Sequence, residues 1–126
     1  MWLRRKSKSD PAETIRGLRQ HALTVSAADL GLAPTADRMQ VWGVLMETGF
    51  PEAVATLVVL GDGTTSLYFS NGGGIIGAGE HDAVRAAARE LLSSAEEHLD
   101  GFTAVTTTPL PRWGTFGFTC VRSQAH

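Results

Sequence analysis

Five glycines stand among the thirteen residues 70–82, SNGGGIIGAGEHD, directly before a segment with helical periodicity. Glycines leave backbone N–H groups free to face an anion, and the start of a helix favours negative charge beside it. Residues 72–77 also fit the GxGxxG spacing of dinucleotide-binding loops. The run therefore indicates either an anion or nucleotide site, or a turn that carries the chain from a strand onto a helix.

If a ligand binds here, backbone amides of the glycines and two basic side chains one helical turn apart would hold it. These candidates are Gly73, Gly74, Gly77, Gly79, His81 and Arg85. Two observations oppose a ligand: Glu80 and Asp82 add negative charge at the same helix end, and Ile75 and Ile76 lie where a dinucleotide loop would begin its helix. We favour the turn and keep the ligand site as the alternative.

Other groups that could do chemistry are isolated. His81 lies between Glu80 and Asp82, but adjacent helical residues point about 100° apart and cannot converge on one metal ion. Cys120 alternates with two phenylalanines along a predicted strand, a pattern typical of a core residue. Neither GxSxG nor HExxH occurs. We therefore expect no catalytic residues, no metal and no cofactor, and an enzyme is the less favoured hypothesis.

The segment PLPRWG places Arg112 beside Trp113 in a loop that prolines make rigid. Arginine and tryptophan are enriched among the residues that dominate protein–protein binding energy. Both residues are therefore predicted to contact a protein partner. The alternative is that Trp113 folds back and covers the edge of the sheet.

Charge and composition limit the class of protein. The 126 residues are 43% hydrophobic, enough for the core of one domain. The net charge is −2, but residues 1–9 carry +4 and leave −6 on residues 10–126, so nucleic-acid binding is not expected. The tail MWLRRKSKS is predicted to be flexible and could make weak contact with an anionic membrane surface.

The predicted compartment is the cytoplasm. A single cysteine excludes an internal disulfide framework, and no apolar run follows the basic start as in a secretory signal. No stretch of 18 apolar residues is present that would span a bilayer. Residues 10–126 are predicted to form a single domain.

The elements that must position these residues follow from periodicity and turn signals. Asp10, Pro11 and Glu13 predict a helix start, and a continuous apolar stripe predicts a long helix that begins near Glu80 and ends at Gly101. The predicted helices cover about 11–24 and 80–100, and the predicted strands cover 40–48, 54–60, 64–70, 102–108 and 115–121. The expected class is α+β: an antiparallel sheet of about five strands with both helices packed on it, in the order α-β-β-β-α-β-β.

This order of elements resembles that of type III secretion chaperones and similar bacterial chaperone-like folds, and more distantly profilin and roadblock-type domains. The resemblance covers most of the chain but includes no residue motif, and the final helix of those chaperones has no counterpart. No site residue is carried over from it. It implies a small module, possibly homodimeric, that binds another protein without catalysing a reaction. Strands that are apolar on both faces support the same prediction.

Overall fold

The chain forms an antiparallel sheet with one α-helix on each face. The computed structural model describes residues 10–33, 41–75, 77–105 and 107–122, so the predicted basic tail 1–9 lies outside the described residues. The elements are α1 (Pro11–Thr24), β1 (Val41–Gly49), β2 (Val54–Leu60), β3 (Thr65–Phe69), β4 (Gly74–Ile75), α2 (Asp82–Glu97) and β5 (Phe116–Arg122). The predicted α+β class is confirmed.

The strands lie in the order β4-β3-β2-β1-β5. Four of them have five to nine residues, and β4 has only two. The strand predicted at 102–108 is wrong, because the described residues of that range are in no strand. Phe102 packs on Phe118, on the face that α2 covers, whereas the Thr108 carbonyl contacts Arg19 of α1 on the other face. A segment that crosses from one face to the other cannot run along a neighbouring strand.

Helix α1 begins and ends where the sequence predicts. The Asp10 carboxylate accepts a hydrogen bond from the Ala12 N–H at 3.2 Å, and Pro11 takes the first helical position, where its missing N–H costs nothing. The helix buries Ala22 against Leu45 and Val58 of the sheet. Local capping and the apolar spacing together fix this element.

Helix α2 covers the opposite face. It runs from Asp82 to Glu97 between two short 3₁₀ turns, a slightly later start than predicted. Ala88 and Ala95 are its buried residues, and Ala95 packs against Val41 and Val44 of β1. Small side chains allow the helix to lie close to the strands. No helix within the described ranges is both long and apolar enough to cross a membrane.

Strand β1 lies at the centre and is covered on both faces, as its apolar sequence predicts. The pairing with β5 shifts register between Val41 and Gly43, which marks a β-bulge at this end of the strand. Val41 packs with α2, whereas Trp42 turns towards α1 and donates its indole N–H to the Val25 carbonyl at 2.9 Å. Because successive side chains of a strand point to opposite faces, β1 contributes to the cores beneath both helices.

Candidate functional site

A tight turn before β5 presents Trp113 to solvent. The Thr115 N–H and hydroxyl both donate to the Arg112 carbonyl, at 2.9 and 2.6 Å, and Gly114 has a φ of 79°. Two backbone hydrogen bonds join the turn to the end of β1: Gly114 N–H to the Gly49 carbonyl at 3.0 Å, and Gly49 N–H to the Thr115 carbonyl at 2.9 Å. The turn is therefore fixed to the sheet.

Residue 49 must be small for this attachment. An added Cβ at Gly49 would overlap the Arg112 carbonyl oxygen. The close approach of the two backbones therefore depends on glycine, as is common where chains pack without side chains between them.

Three aromatic side chains surround this junction, and we name them together the aromatic end: Phe50, Trp113 and Phe116. Phe50 directly follows the bonded Gly49, and Phe116 directly follows Thr115. Their exposed fractions are 51% for Phe50, 71% for Trp113 and 59% for Phe116. All three are large apolar residues that are exposed at this end of the sheet.

Both residues predicted from the sequence to bind a protein, Arg112 and Trp113, are exposed and lie in this turn. Trp113 does not fold back over the sheet, which was the alternative. The sequence does not predict an exposed position for Phe50 or Phe116: Phe116 lies within the predicted strand 115–121 and alternates with Cys120 as a core residue would, and Phe50 lies in the break between two predicted strands.

The first three glycines of the glycine-rich run build a hairpin. Phe69 N–H donates to the Gly73 carbonyl at 2.8 Å, and Gly72 N–H donates to the Phe69 carbonyl at 2.9 Å. Gly72 has a φ of 112°, which only glycine adopts without strain. Gly74 then pairs with Tyr68 in β4. These residues return the chain along the edge of the sheet.

The remaining glycines attach the loop to the β2–β3 turn. Gly79 is buried, and an added Cβ would overlap the Gly63 carbonyl oxygen. The Arg85 guanidinium donates from Nε and Nη2 to the Gly79 carbonyl, at 3.2 and 3.1 Å. Gly77, with a φ of 85°, precedes the 3₁₀ turn Ala78–Glu80. Arg85 thus holds the loop onto the start of α2.

The residues predicted to bind a ligand in the glycine-rich run lie in the following places. Gly73 and Gly74 belong to the edge hairpin, Gly79 is packed under the β2–β3 turn, and Arg85 bonds within its own loop. His81 is exposed immediately before α2 and makes no side-chain capping bond. These contacts support the turn-forming role of the run, and the ligand site remains a prediction.

Cys120 lies half-buried on β5 in the core beneath α2. Burial raises the pKa of its thiol, and the positive charge of Arg122 opposes that rise. Among the residues that the structure describes, no three His, Cys, Asp or Glu side chains are grouped to hold a metal ion.

Comparison with known proteins returned no relative: family models, curated proteins and solved structures were searched, and none gave a significant match. The resemblance to chaperone-like folds therefore stays a prediction from the sequence, without support from a known relative. Any functional proposal has to rest on the surfaces of the chain itself.

Proposed function

We propose that this protein is a small non-catalytic module that binds another protein through the aromatic end. The observation that carries the proposal is Trp113, which is 71% exposed on a turn that four backbone and side-chain hydrogen bonds fix to itself and to β1. A side chain on a fixed turn loses little conformational freedom on binding, so more of its contact energy becomes affinity. Arg112 beside it adds a charged group that suits interfaces.

The neighbouring strand supports a protein as the partner. β5 forms one edge of the sheet, and its first residue, Phe116, belongs to the aromatic end. An edge strand offers N–H and C=O groups to an extended segment of a partner, and adjacent aromatic side chains add apolar contact. A second copy of the chain is the first partner to test, because an isologous dimer would pair this same surface with itself.

Substitution of Trp113 by Ala tests the proposal. We expect Trp113→Ala to reduce partner recovery from the source cells at least tenfold, because removal of a central tryptophan typically costs about 2 kcal/mol or more. The melting temperature should change little, since the side chain is mostly in water. Val105→Ala is the matched control, because Val105 is 64% exposed and lies outside the aromatic end.

Partner recovery that is equal for Trp113→Ala and Val105→Ala would contradict the proposal, and so would a large fall in melting temperature for Trp113→Ala. Light scattering after size-exclusion chromatography tests the homodimer separately. A dimer that Trp113→Ala converts into a monomer would support self-association. A wild-type monomer at high concentration would exclude the homodimer and leave only a different protein as partner.

A further inference from the structure

A cavity of about 570 Å³ lies on the face of the sheet that α1 covers. It is found at the Leu60 end of β2, whereas the aromatic end adjoins the other end of that strand. Its volume is within the range typical of small-molecule sites. Most of its wall is apolar: Leu18, Ala22, Val25, Leu30, Val58 and Leu60.

The floor of the cavity contains an unsatisfied hydroxyl. Ser66 of β3 is only 1% exposed, and its Oγ has no hydrogen-bond partner among the described residues. A buried hydroxyl without a partner costs about 1–3 kcal/mol, which alanine at this position would avoid. Ser66 lies beside its β2 neighbour Val58 and near Tyr68, and all three line the cavity. The floor of the cavity thus contains a hydroxyl that has no hydrogen-bond partner among the described residues.

The mouth of the cavity is acidic. Asp29, Asp62 and His21 line it and are exposed, and among the described residues no lysine or arginine lines it. The Asp29 carboxylate accepts from the Ser26 N–H at 3.1 Å, and this bond lowers the pKa of Asp29. The Asp62 carboxylate also accepts a backbone hydrogen bond, from the Thr64 N–H at 2.9 Å. Both carboxylates keep lone pairs for a further donor.

We propose that this cavity binds a small organic cation: a protonated amine at the mouth, an apolar body along the wall, and a hydrogen-bonding tip at Ser66. Charge complementarity favours the amine, because two carboxylates lie at the entrance and the described lining residues include no lysine or arginine. The apolar wall favours a ligand whose middle part is a hydrocarbon chain. The unpartnered Ser66 Oγ favours a ligand with a hydrogen-bonding group at the other end of that chain. None of the residues that line this cavity belongs to the glycine-rich loop, whose anion site is the alternative kept in the sequence analysis.

Three probes of equal length separate these contributions: 6-amino-1-hexanol, 1,6-hexanediol and 6-hydroxyhexanoate. Each is titrated into the full ¹⁵N-labelled chain while amide resonances are recorded. We expect the amine to bind most tightly, the diol more weakly and the carboxylate most weakly. The shifted amides should be those of the lining residues, such as Asp62, Thr64 and Ser66. Equal affinities, no shifts, or shifts confined to another surface would overturn the proposal.

Variants assign the affinity to named groups. The double change Asp29→Asn with Asp62→Asn should weaken the amine about fivefold and leave the diol unchanged, since exposed charges contribute about 1 kcal/mol or less. Asp82→Asn, an exposed aspartate at the start of α2, is the matched control and should change neither.

A second variant keeps the test decisive if the double variant does not fold. Ser66→Ala removes only the buried hydroxyl and should weaken the amine and the diol alike, because both lose the contact at the floor. Unchanged binding of both probes to Ser66→Ala would contradict the assignment of the polar tip.

Discussion

The thiol of Cys120 lies where its chemistry is suppressed. It faces α2 from β5 and packs in the same cluster as Phe118 and Leu91. Removal of a proton would leave a thiolate in apolar surroundings, and burial therefore raises the pKa of this thiol. The neutral form is not the nucleophile. Cys120 thus acts as a small apolar residue of the core.

Alkylation tests this assignment. At pH 8 we expect iodoacetamide to modify Cys120 at least tenfold more slowly in the folded protein than in guanidinium chloride, because both access and thiolate content are reduced. The raised pKa also sets the sign of a pH effect: its stabilising contribution is full below the unfolded pKa of about 8.5 and is lost as pH rises above it. Comparison of melting temperatures with Cys120→Ala from pH 8 to 10 measures that loss. Equal alkylation rates in the two states would contradict the assignment.

At the level of elements, the glycine-rich loop joins α2 to the β2–β3 turn through a backbone contact. Gly79 lies against the Gly63 carbonyl, and Arg85 closes the junction from the helix side. The junction allows no side chain at position 79. The loop therefore positions the amphipathic helix on the sheet.

Substitution of Gly79 by Ala should lower the free energy of unfolding by about 1–3 kcal/mol, because the added methyl group forces the two turns apart. Urea denaturation measures the change. Gly17→Ala is the matched control, since no atom lies within 4 Å of an added Cβ at this helical position. It should raise the free energy of unfolding by up to about 1 kcal/mol. Equal effects of the two substitutions would show that packing at Gly79 is looser than described.

The sequence predicts those elements whose signals are local. Asp10 and Pro11 define the start of α1, and the Gly61–Gly63 turn defines the hairpin of β2 and β3, so these boundaries agree within a residue or two. The segment 102–108 has the same β-branched composition as a strand, but its strand assignment is wrong because the segment passes from the α2 face of the sheet at Phe102 to the α1 face at Thr108. Whether a segment pairs with a strand depends on tertiary structure, and amino-acid composition alone does not determine it.

The candidate sites divide in the same way. Arg112 and Trp113 follow from residue type and from the rigid loop around them. The role of Ser66 cannot be predicted from the sequence, because a serine in a strand is usually an ordinary polar residue. Only the structure shows that it lines a cavity on the face covered by α1. Sequence reasoning can find groups that act from a turn, but it cannot find a cavity between elements whose distance is set by packing.

At the scale of the whole molecule, one buried ion pair joins parts of the chain that are far apart in sequence. Arg19 of α1 donates to both Glu47 carboxylate oxygens at 2.8 Å and to the Thr108 carbonyl at 2.7 Å. Glu47 is 2% exposed and also accepts from the Thr56 hydroxyl at 2.6 Å. Helix α1, two strands and the segment that leads to β5 thus meet at one carboxylate.

Arg19→Ala should lower the free energy of unfolding by about 3–5 kcal/mol, because Glu47 would remain buried without its counter-charge. Thermal and urea unfolding measure the loss. The double change Arg19→Met with Glu47→Gln is the control: it removes both charges, keeps an acceptor for Thr56, and should recover much of the stability. If the double variant is as unstable as Arg19→Ala, the loss comes from packing of the arginine stem and not from an unpaired charge.

The pairing of Val41–Gly49 with Phe116–Arg122 also constrains how the chain is made. While the protein emerges from a ribosome, the central strand meets β2 early, but its second neighbour does not exist until α2 and the segment after it have been synthesised. During that interval one edge of the central strand β1 is unpaired in the nascent chain. A chain that ends before residue 116 would therefore leave one edge of the central strand unpaired, and an unpaired edge can associate with a strand of another chain.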